Sequence, residues 1–123
     1  MKSLLLVAHG SRRAESNTEV AVVAKSLSDK VKSKYAQTSY AFLELAEPSI
    51  PEGIDELIKN GATEVTILPY FLSAGRHVHK DVPEIIDLKQ QQYNDVTLRI
   101  APYIGEAAEM IDVLVAIAER ENK

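Results

Sequence analysis

The sequence predicts a three-layer α/β domain built on a four-stranded parallel sheet, and three observations predict it. Apolar extended segments alternate with helical patterns four times along the chain, the order expected when helical crossovers join parallel strands. The first and third extended segments are apolar on both faces, as strands covered by helices on both sides are. The fourth alternates apolar and polar residues, the pattern of a half-exposed strand at the sheet edge.

Each element has its own justification. Leu4 to Ala8 is a continuous apolar run and reads as a strand buried on both faces. Ser16 with Glu19 offers a capping box, and Val20, Val23, Ala24, Leu27 and Val31 then recur at helical spacing. "TSYAFLEL", residues 38–45, is rich in strand formers. "SIPE" at 49–52 supplies a cap serine with a glutamate three residues on, before Ile54, Leu57 and Ile58, and Asn60–Gly61 closes that helix. "EVTILPYFL" from Glu64 gives the third strand, ended near Pro69 because proline cannot donate to an interior ladder. Asp81 with Glu84 predicts the next helix start, with Pro83 in its first turn, so residues 73–80 are expected as a loop. "VTLRIAPY" alternates with Val96, Leu98 and Ile100 on one face. A last helix is expected from about Glu106 to Arg120, on Ala107, Ala108, Ile111, Leu114, Val115 and Ala118.

With strands 1 and 3 buried on both sides and strand 4 alternating, the expected order is 2-1-3-4, a flavodoxin-like arrangement with right-handed crossovers. At 123 residues, 46% of them hydrophobic and 26% charged, the chain reads as one globular domain over residues 1–123. A formal charge of −4, with lysines and arginines scattered, argues against nucleic acid as a partner. The absence of cysteine excludes disulfides, thiolate metal sites and iron–sulfur clusters, leaving histidine and carboxylates as the strong metal ligands. The apolar run in "MKSLLLVAHGS" is too short for a signal-peptide core or a membrane span, so no membrane partner and a cytoplasmic location are expected.

In a sheet of this order a ligand crevice lies beyond the carboxyl ends of the strands, between strands 1 and 3. His9, in "VAHGSRR", ends strand 1, and the loop holding His77 and His79, in "GRHVHKDVPE", leaves strand 3. Two of the chain's three histidines, His9 and His77, are therefore expected at one crevice, suited to metal binding or proton transfer. The plainer alternative is that His9 only hydrogen-bonds its loop. His79 joins the pair only if its loop stays extended, and otherwise is solvated. Glu44, near the end of strand 2, is the nearest carboxylate to the crevice and equally reads as an ordinary exposed one. Arg12, Arg13 and Arg76 lie in the same two loops and can bind carboxylates or phosphates. Leu72, Ser73, Ala74 and Gly75 can wall a pocket for a flat ligand, or simply end a core strand. No Gly-x-Gly-x-x-Gly, phosphate loop, nucleophile elbow or His-Glu-x-x-His helix is present.

"LLLVAHGSRR", "AFLELAEPSIPEGIDELI" and "ILPYFLSAGRHVHKDVPEII" together resemble the small, single-domain CbiX-type class II chelatases, the sirohydrochlorin cobaltochelatase/ferrochelatase family, over nearly the whole chain and in order. The resemblance implies a chelatase-like half-domain that inserts Co2+ (cobalamin biosynthesis) or Fe2+ (sirohaem) into sirohydrochlorin. It implies no nucleotide and no cofactor beyond the divalent metal substrate. Ni2+ is a further candidate ion on ligand chemistry, because imidazole and carboxylate ligands accept all three metals. The resemblance implies His9 as proton acceptor and metal ligand and His77 as second ligand. Glu44 and the loop Leu72, Ser73, Ala74, Gly75 and Arg76 would contact substrate, and two copies would pair as a homodimer. The match departs at His79, where relatives are expected to carry another residue, and Arg12, Arg13 and His79 stay as further candidates.

The chemistry is consistent with these residue types. Inserting a divalent ion into a macrocycle requires desolvating the ion, presenting it to one face and removing two pyrrole protons. Imidazole, with an ordinary pKa of about 6.5, can hold a borderline metal and accept a proton. A different class of function, a non-catalytic carrier of metal or tetrapyrrole using the same crevice, remains as the alternative. A nucleotide or phosphate binder is disfavoured because no phosphate loop follows strand 1.

Overall fold

A computed structural model describes residues 1–73, 75 and 77–120, with the side chains of His77 and Val78 outside that description. Strand β1 (Lys2–Ala8) is followed by α1 (Ala14–Val31), β2 (Gln37–Phe42), α2 (Ile50–Lys59) and β3 (Glu64–Pro69). A π-helical turn (His77–Asp81) then runs into α3 (Val82–Gln92), and β4 (Thr97–Ile100), a 3-10 turn (Ile104–Glu106) and α4 (Glu109–Ala118) complete the order. The four strands form one parallel sheet in the order β2-β1-β3-β4, as the burial pattern of the sequence predicts. The register pairs Leu6 with Tyr40 on one side and with Leu68 on the other, which brings the carboxyl ends of β1, β2 and β3 level.

Alternation along the strands separates two faces. Leu5, Val7, Ala41, Val65 and Ile67 face α2 and α3, where Ile50, Ile54, Leu57, Val82 and Ile86 complete the main core. Leu4, Leu6, Thr66 and Leu68 face the opposite side, on which α1 packs against β2. Six consecutive buried residues from Ser3 to Ala8 account for the unbroken apolar run that identifies the central strand. No helix among the described residues is long and apolar enough to cross a membrane.

Four local expectations are corrected. Helix α1 begins at Ala14, two residues before the expected cap, and Ser16 lies inside its first turn. The start is fixed instead by Asn17, whose side chain bonds the backbone N–H and carbonyl of Ser11 at 3.0 and 2.7 Å, while Ser11 Oγ accepts from Arg13 N. Strand β2 stops at Phe42 rather than at residue 45, because Leu45 turns the chain at φ 66°. Residues 77–81 are helical rather than loop, and Asp81 has helical backbone angles and no capping bond. The last helix is interrupted after Glu106 and resumes at Glu109, and none of its residues is buried.

The cap of α2 forms as the sequence predicts. Ser49 Oγ accepts from Glu52 N at 3.3 Å, and the Glu52 carboxylate accepts from Ser49 N at 2.9 Å. That backbone hydrogen bond, with the hydroxyl, holds the Glu52 carboxyl below its ordinary range. Replacing Ser49 with alanine is expected to cost about 1 kcal/mol in chemical denaturation, with an unchanged m-value.

Helices α2 and α3 are tied by a three-residue polar contact. Asp55 accepts from Lys89 Nζ at 2.7 Å and from Tyr93 Oη at 2.6 Å. Burial works to raise the Asp55 carboxyl, but the bonds from Lys89 and Tyr93 outweigh it, and the group is held below the ordinary carboxylate range. A depressed carboxyl contributes stability above its unfolded value of about 3.9 and loses it as pH falls through the lower folded value. Asp55→Asn is therefore expected to lower stability at pH 7 by about 1 kcal/mol, a figure discounted for the solvent-open carboxylate. Below pH 4 the gap between variant and wild type should close, which thermal melts across pH 2–7 would show.

Candidate functional site

The site is assembled at the carboxyl end of the sheet by backbone contacts between three strand exits. Past the end of β1, Ala8 and His9 offer their carbonyls to Leu43 N and Glu44 N at 2.9 and 3.0 Å. Val7 accepts from Tyr70 N at 2.7 Å, so the exit of β3 lies against the other flank of β1. Gly10 makes the approach to β2 possible: its φ is +97°, and an added Cβ would lie 1.7 Å from the Glu44 carbonyl oxygen. Any side chain there would have to displace backbone, so the glycine is required by contact as well as by conformation.

His9 is exposed at this junction, and its ring stands edge-on to Phe71 with centroids 5.6 Å apart and planes at 77°. Phe71 is itself buried. The apolar contact restrains one side of the imidazole, leaving a solvent-accessible ring able to meet a ligand. Glu44 is exposed directly beside it along the backbone. An acidic groove of about 410 Å³ extends from there, lined in part by Glu44, Leu45, Glu47 and Glu52.

On the β3 side, Leu72 is 72% exposed and Ser73 is exposed, so the segment after Phe71 presents an apolar side chain and a hydroxyl to solvent. Gly75 is exposed, with no atom of the described residues within 4 Å of the position a Cβ would take, and its carbonyl accepts from His79 N at 3.2 Å. Ala74, Arg76 and the His77 imidazole lie outside the described residues, while the His77 backbone opens the π-helical turn. The backbone carrying His77 thus leaves the same end of the sheet as His9. His79 is exposed and packs edge-on to Tyr103, centroids 6.5 Å apart. The extended loop that would have aligned it with His77 is not formed, because residues 77–81 are helical.

Arg12 and Arg13 are exposed just before α1, and Arg13 lies 3.5 Å from the Glu15 carboxylate. No group of three or more His, Asp or Glu close enough to hold a metal ion occurs among the described residues. Two aromatic residues that sequence reasoning did not single out, Phe71 and Tyr103, contact the histidines. The signal for the first was present: an aromatic pair directly after the proline that ends the third strand. Gly105 also belongs here, since its N–H reaches the Phe71 carbonyl at 3.0 Å and an added Cβ would overlap the Leu72 backbone at 1.7 Å.

Comparison with known proteins places this geometry in context. The sequence model of the CbiX family matches residues 3–121. The chloroplastic sirohydrochlorin ferrochelatase of Arabidopsis thaliana is 33% identical over 111 residues, covering 90% of this chain and 48% of that protein. The sirohydrochlorin cobaltochelatase of Sulfolobus acidocaldarius is 33% identical over 120 residues, covering 98% of this chain and 92% of that one. Among solved structures, the sirohydrochlorin chelatase SirB from Bacillus subtilis subspecies spizizenii in complex with cobalt superposes with a TM-score of 0.84 at 28% identity. That match covers 96% of this chain and 50% of SirB. The chain therefore spans about half the length of the plant relative and of SirB, and nearly the full length of the archaeal one.

Proposed function

Because the chain belongs to the CbiX family, we propose that it inserts a divalent metal ion, Co2+ or Fe2+, into sirohydrochlorin. The observation that carries this reading is the span of the family match, residues 3–121, which takes in every segment that meets at the carboxyl end of the sheet. The working unit in this reading is a single chelatase-like domain over residues 1–123.

The reaction exchanges one divalent ion for two pyrrole protons, so two N–H bonds break, two protons leave, and the ring is neither oxidised nor reduced. His9 holds the arriving ion through an imidazole nitrogen, and His77 supplies the second nitrogen. The same lone pair can serve twice in sequence. While the ion is held it is a ligand, and once the ion passes to the ring nitrogens it is released to accept a pyrrole proton. Two imidazoles match two protons. A site with few protein ligands leaves coordination positions open for the incoming ring, where a closed four-ligand cage would trap the ion.

Glu44, Leu72, Ser73, Ala74, Gly75 and Arg76 contact the ring in this reading, and Arg12 and Arg13 meet its carboxylates. The exposed Leu72 side chain suits the flat apolar face of a macrocycle. A crevice at the end of a four-stranded sheet is shallow for so large a disc, so we read the working form as a homodimer that encloses it.

A steady-state assay with sirohydrochlorin and Co2+, Fe2+ or Ni2+ in turn, followed by ring absorbance, tests the reading. Repeated turnover per chain with at least one ion is the expected result. Saturation at one ring or one ion per chain, without metallated product, would reject insertion in favour of a carrier.

A further inference from the structure

Among the described residues Leu45 is the one non-glycine with a positive φ, 66°, and the two other positive-φ positions, at 97° and 105°, are Gly10 and Gly61. In the left-handed region a Cβ crowds the following carbonyl oxygen, so a leucine is held there at a cost in free energy that glycine would not incur. Packing does not account for the choice, because Leu45 is 55% exposed and more than half of its surface lies in water. Outliers of this kind persist where surrounding contacts over-determine the backbone, and they cluster at ligand clamps.

The contacts around Leu45 meet that condition. Phe42 N donates to the Pro48 carbonyl at 2.8 Å, which closes residues 43–47 into a loop with Leu45 at its centre. Leu43 N and Glu44 N bond the carbonyls of Ala8 and His9 at 2.9 and 3.0 Å, so the loop is tied to the β1 exit up to the residue before Leu45. On the far side of the loop, Ser49 and Glu52 exchange the two bonds of the α2 cap. Leu45 therefore stands on a fixed frame, in the wall of the acidic groove that begins beside His9.

The β3 exit carries a counterpart. Leu45 follows Glu44, which is bonded to the His9 backbone, and Leu72 follows Phe71, whose ring stands against the His9 imidazole. Because the sheet order is β2-β1-β3, these two exits flank the one that carries His9, and β2 and β3 run two strand spacings apart, about 10 Å. Leu72 is 72% exposed, and its backbone is packed against Gly105, where an added Cβ would lie 1.7 Å from the Leu72 carbonyl oxygen. Two exposed leucines on fixed backbone thus flank an exposed imidazole. Glu44 and Glu47, in the same groove wall as Leu45, disfavour anionic groups there, so this side suits an apolar plane rather than a carboxylate.

We propose that Leu45 is a contact residue for the ring: held in the left-handed region by the loop 43–47, it forms with Leu72 a two-sided apolar seat for the flat face of the macrocycle beside His9. The inference deepens the chelatase reading and rests on it for the identity of the ligand. The loop bonds offset the strain in the free chain and keep the leucine in place, so receiving the ring requires little further ordering. Leu45 meets the plane of the ring and not the protons or nitrogens that react, so it holds the ring equally before and during insertion. Its contribution therefore falls on KM rather than on kcat.

Binding of metal-free sirohydrochlorin, followed by ring absorbance, tests the proposal together with thermal melts and steady-state turnover. Leu45→Gly and Leu45→Asn both suit the left-handed region and lack the apolar branch. Each is expected to melt at or above the wild-type temperature and to bind the ring about tenfold more weakly, as loss of a covered leucine side chain implies. KM should rise by a similar factor, with kcat within about twofold of wild type. Leu45→Met, which keeps the apolar volume, should bind within about threefold of wild type. Leu88→Ala, which removes a leucine 67% exposed on α3, should leave ring binding unchanged. Wild-type affinity in both Leu45→Gly and Leu45→Asn overturns the proposal, while turnover by wild type would leave the chelatase reading in place. A lowered melting temperature in both also overturns it, because the leucine would then serve the fold. A wild type that binds the ring through Leu45 but yields no metallated product keeps this inference and removes insertion, and one that binds no ring removes both.

Discussion

A His9→Ala variant is expected to fold as the wild type does and to lose at least two orders of magnitude in metal-insertion rate, since a positioned proton-transfer group contributes roughly 10²–10⁴-fold. The expectation of intact folding follows from the contacts. The bond that ties the β1 exit to the β2 exit uses the His9 carbonyl, which alanine retains, and the imidazole is exposed and makes an edge contact with Phe71. Losing that ring contact should cost about 1 kcal/mol, within reach of a thermal melt. The variant therefore separates chemistry from stability. Its kcat should fall with bound metal reduced, and an unchanged rate would remove His9 from the mechanism.

The second large effect is expected at Gly10. Alanine there would place its Cβ 1.7 Å from the Glu44 carbonyl oxygen, 2.9 Å from the carbonyl carbon and 3.3 Å from Phe42 Cβ, at a φ of +97°. Backbone on both sides has to move, and the first bond lost is Glu44 N to His9 O. Gly10→Ala is expected to destabilise by more than about 4 kcal/mol, beyond the usual range for a single substitution and a large share of the 5–15 kcal/mol available to a domain. Denaturant titration would show it directly, or the protein would fail to accumulate in folded form. Gly75→Ala is the matching control, because no atom of the described residues lies within 4 Å of its Cβ position. Its stability should stay within about 0.5 kcal/mol of wild type. Equal destabilisation by the two substitutions would mean that the close approach at Gly10 is not what holds the strand exits together.

The features that were legible in the sequence are those whose partners lie close along the chain or whose pattern repeats. The box from Ser49 to Glu52 needs partners three residues apart, and it forms. The turn at Gly61 follows from a positive φ of 105°, which glycine adopts without strain. Where two local signals competed, reading order was not enough. Ser16–Glu19 has the spelling of a capping box, but Asn17 reaches back to Ser11 and starts the helix earlier. Asp81 has the same spelling before α3, but the chain is already helical when it arrives there.

The burial pattern along β1, β3 and β4 determined the sheet order, because a parallel strand with helices on both faces must be apolar on both, and an edge strand need not be. Sheet order in turn placed His9, Glu44 and the segment after β3 at one end, as strand direction alone requires. What tertiary structure decided is which faces and rings meet once the strands are level. The edge contact of Phe71 with His9 and the nesting of Gly105 on Leu72 each join residues far apart in the chain, and neither is written in a local pattern. Periodicity identifies α4 as a helix with an apolar face, but the same periodicity suits a helix buried in its own sheet and one that leaves it. The difference is non-local: the apolar face is a property of ten adjacent residues, whereas its exposure follows from where the 3-10 turn at Ile104–Glu106 anchors the chain against the exit of β3.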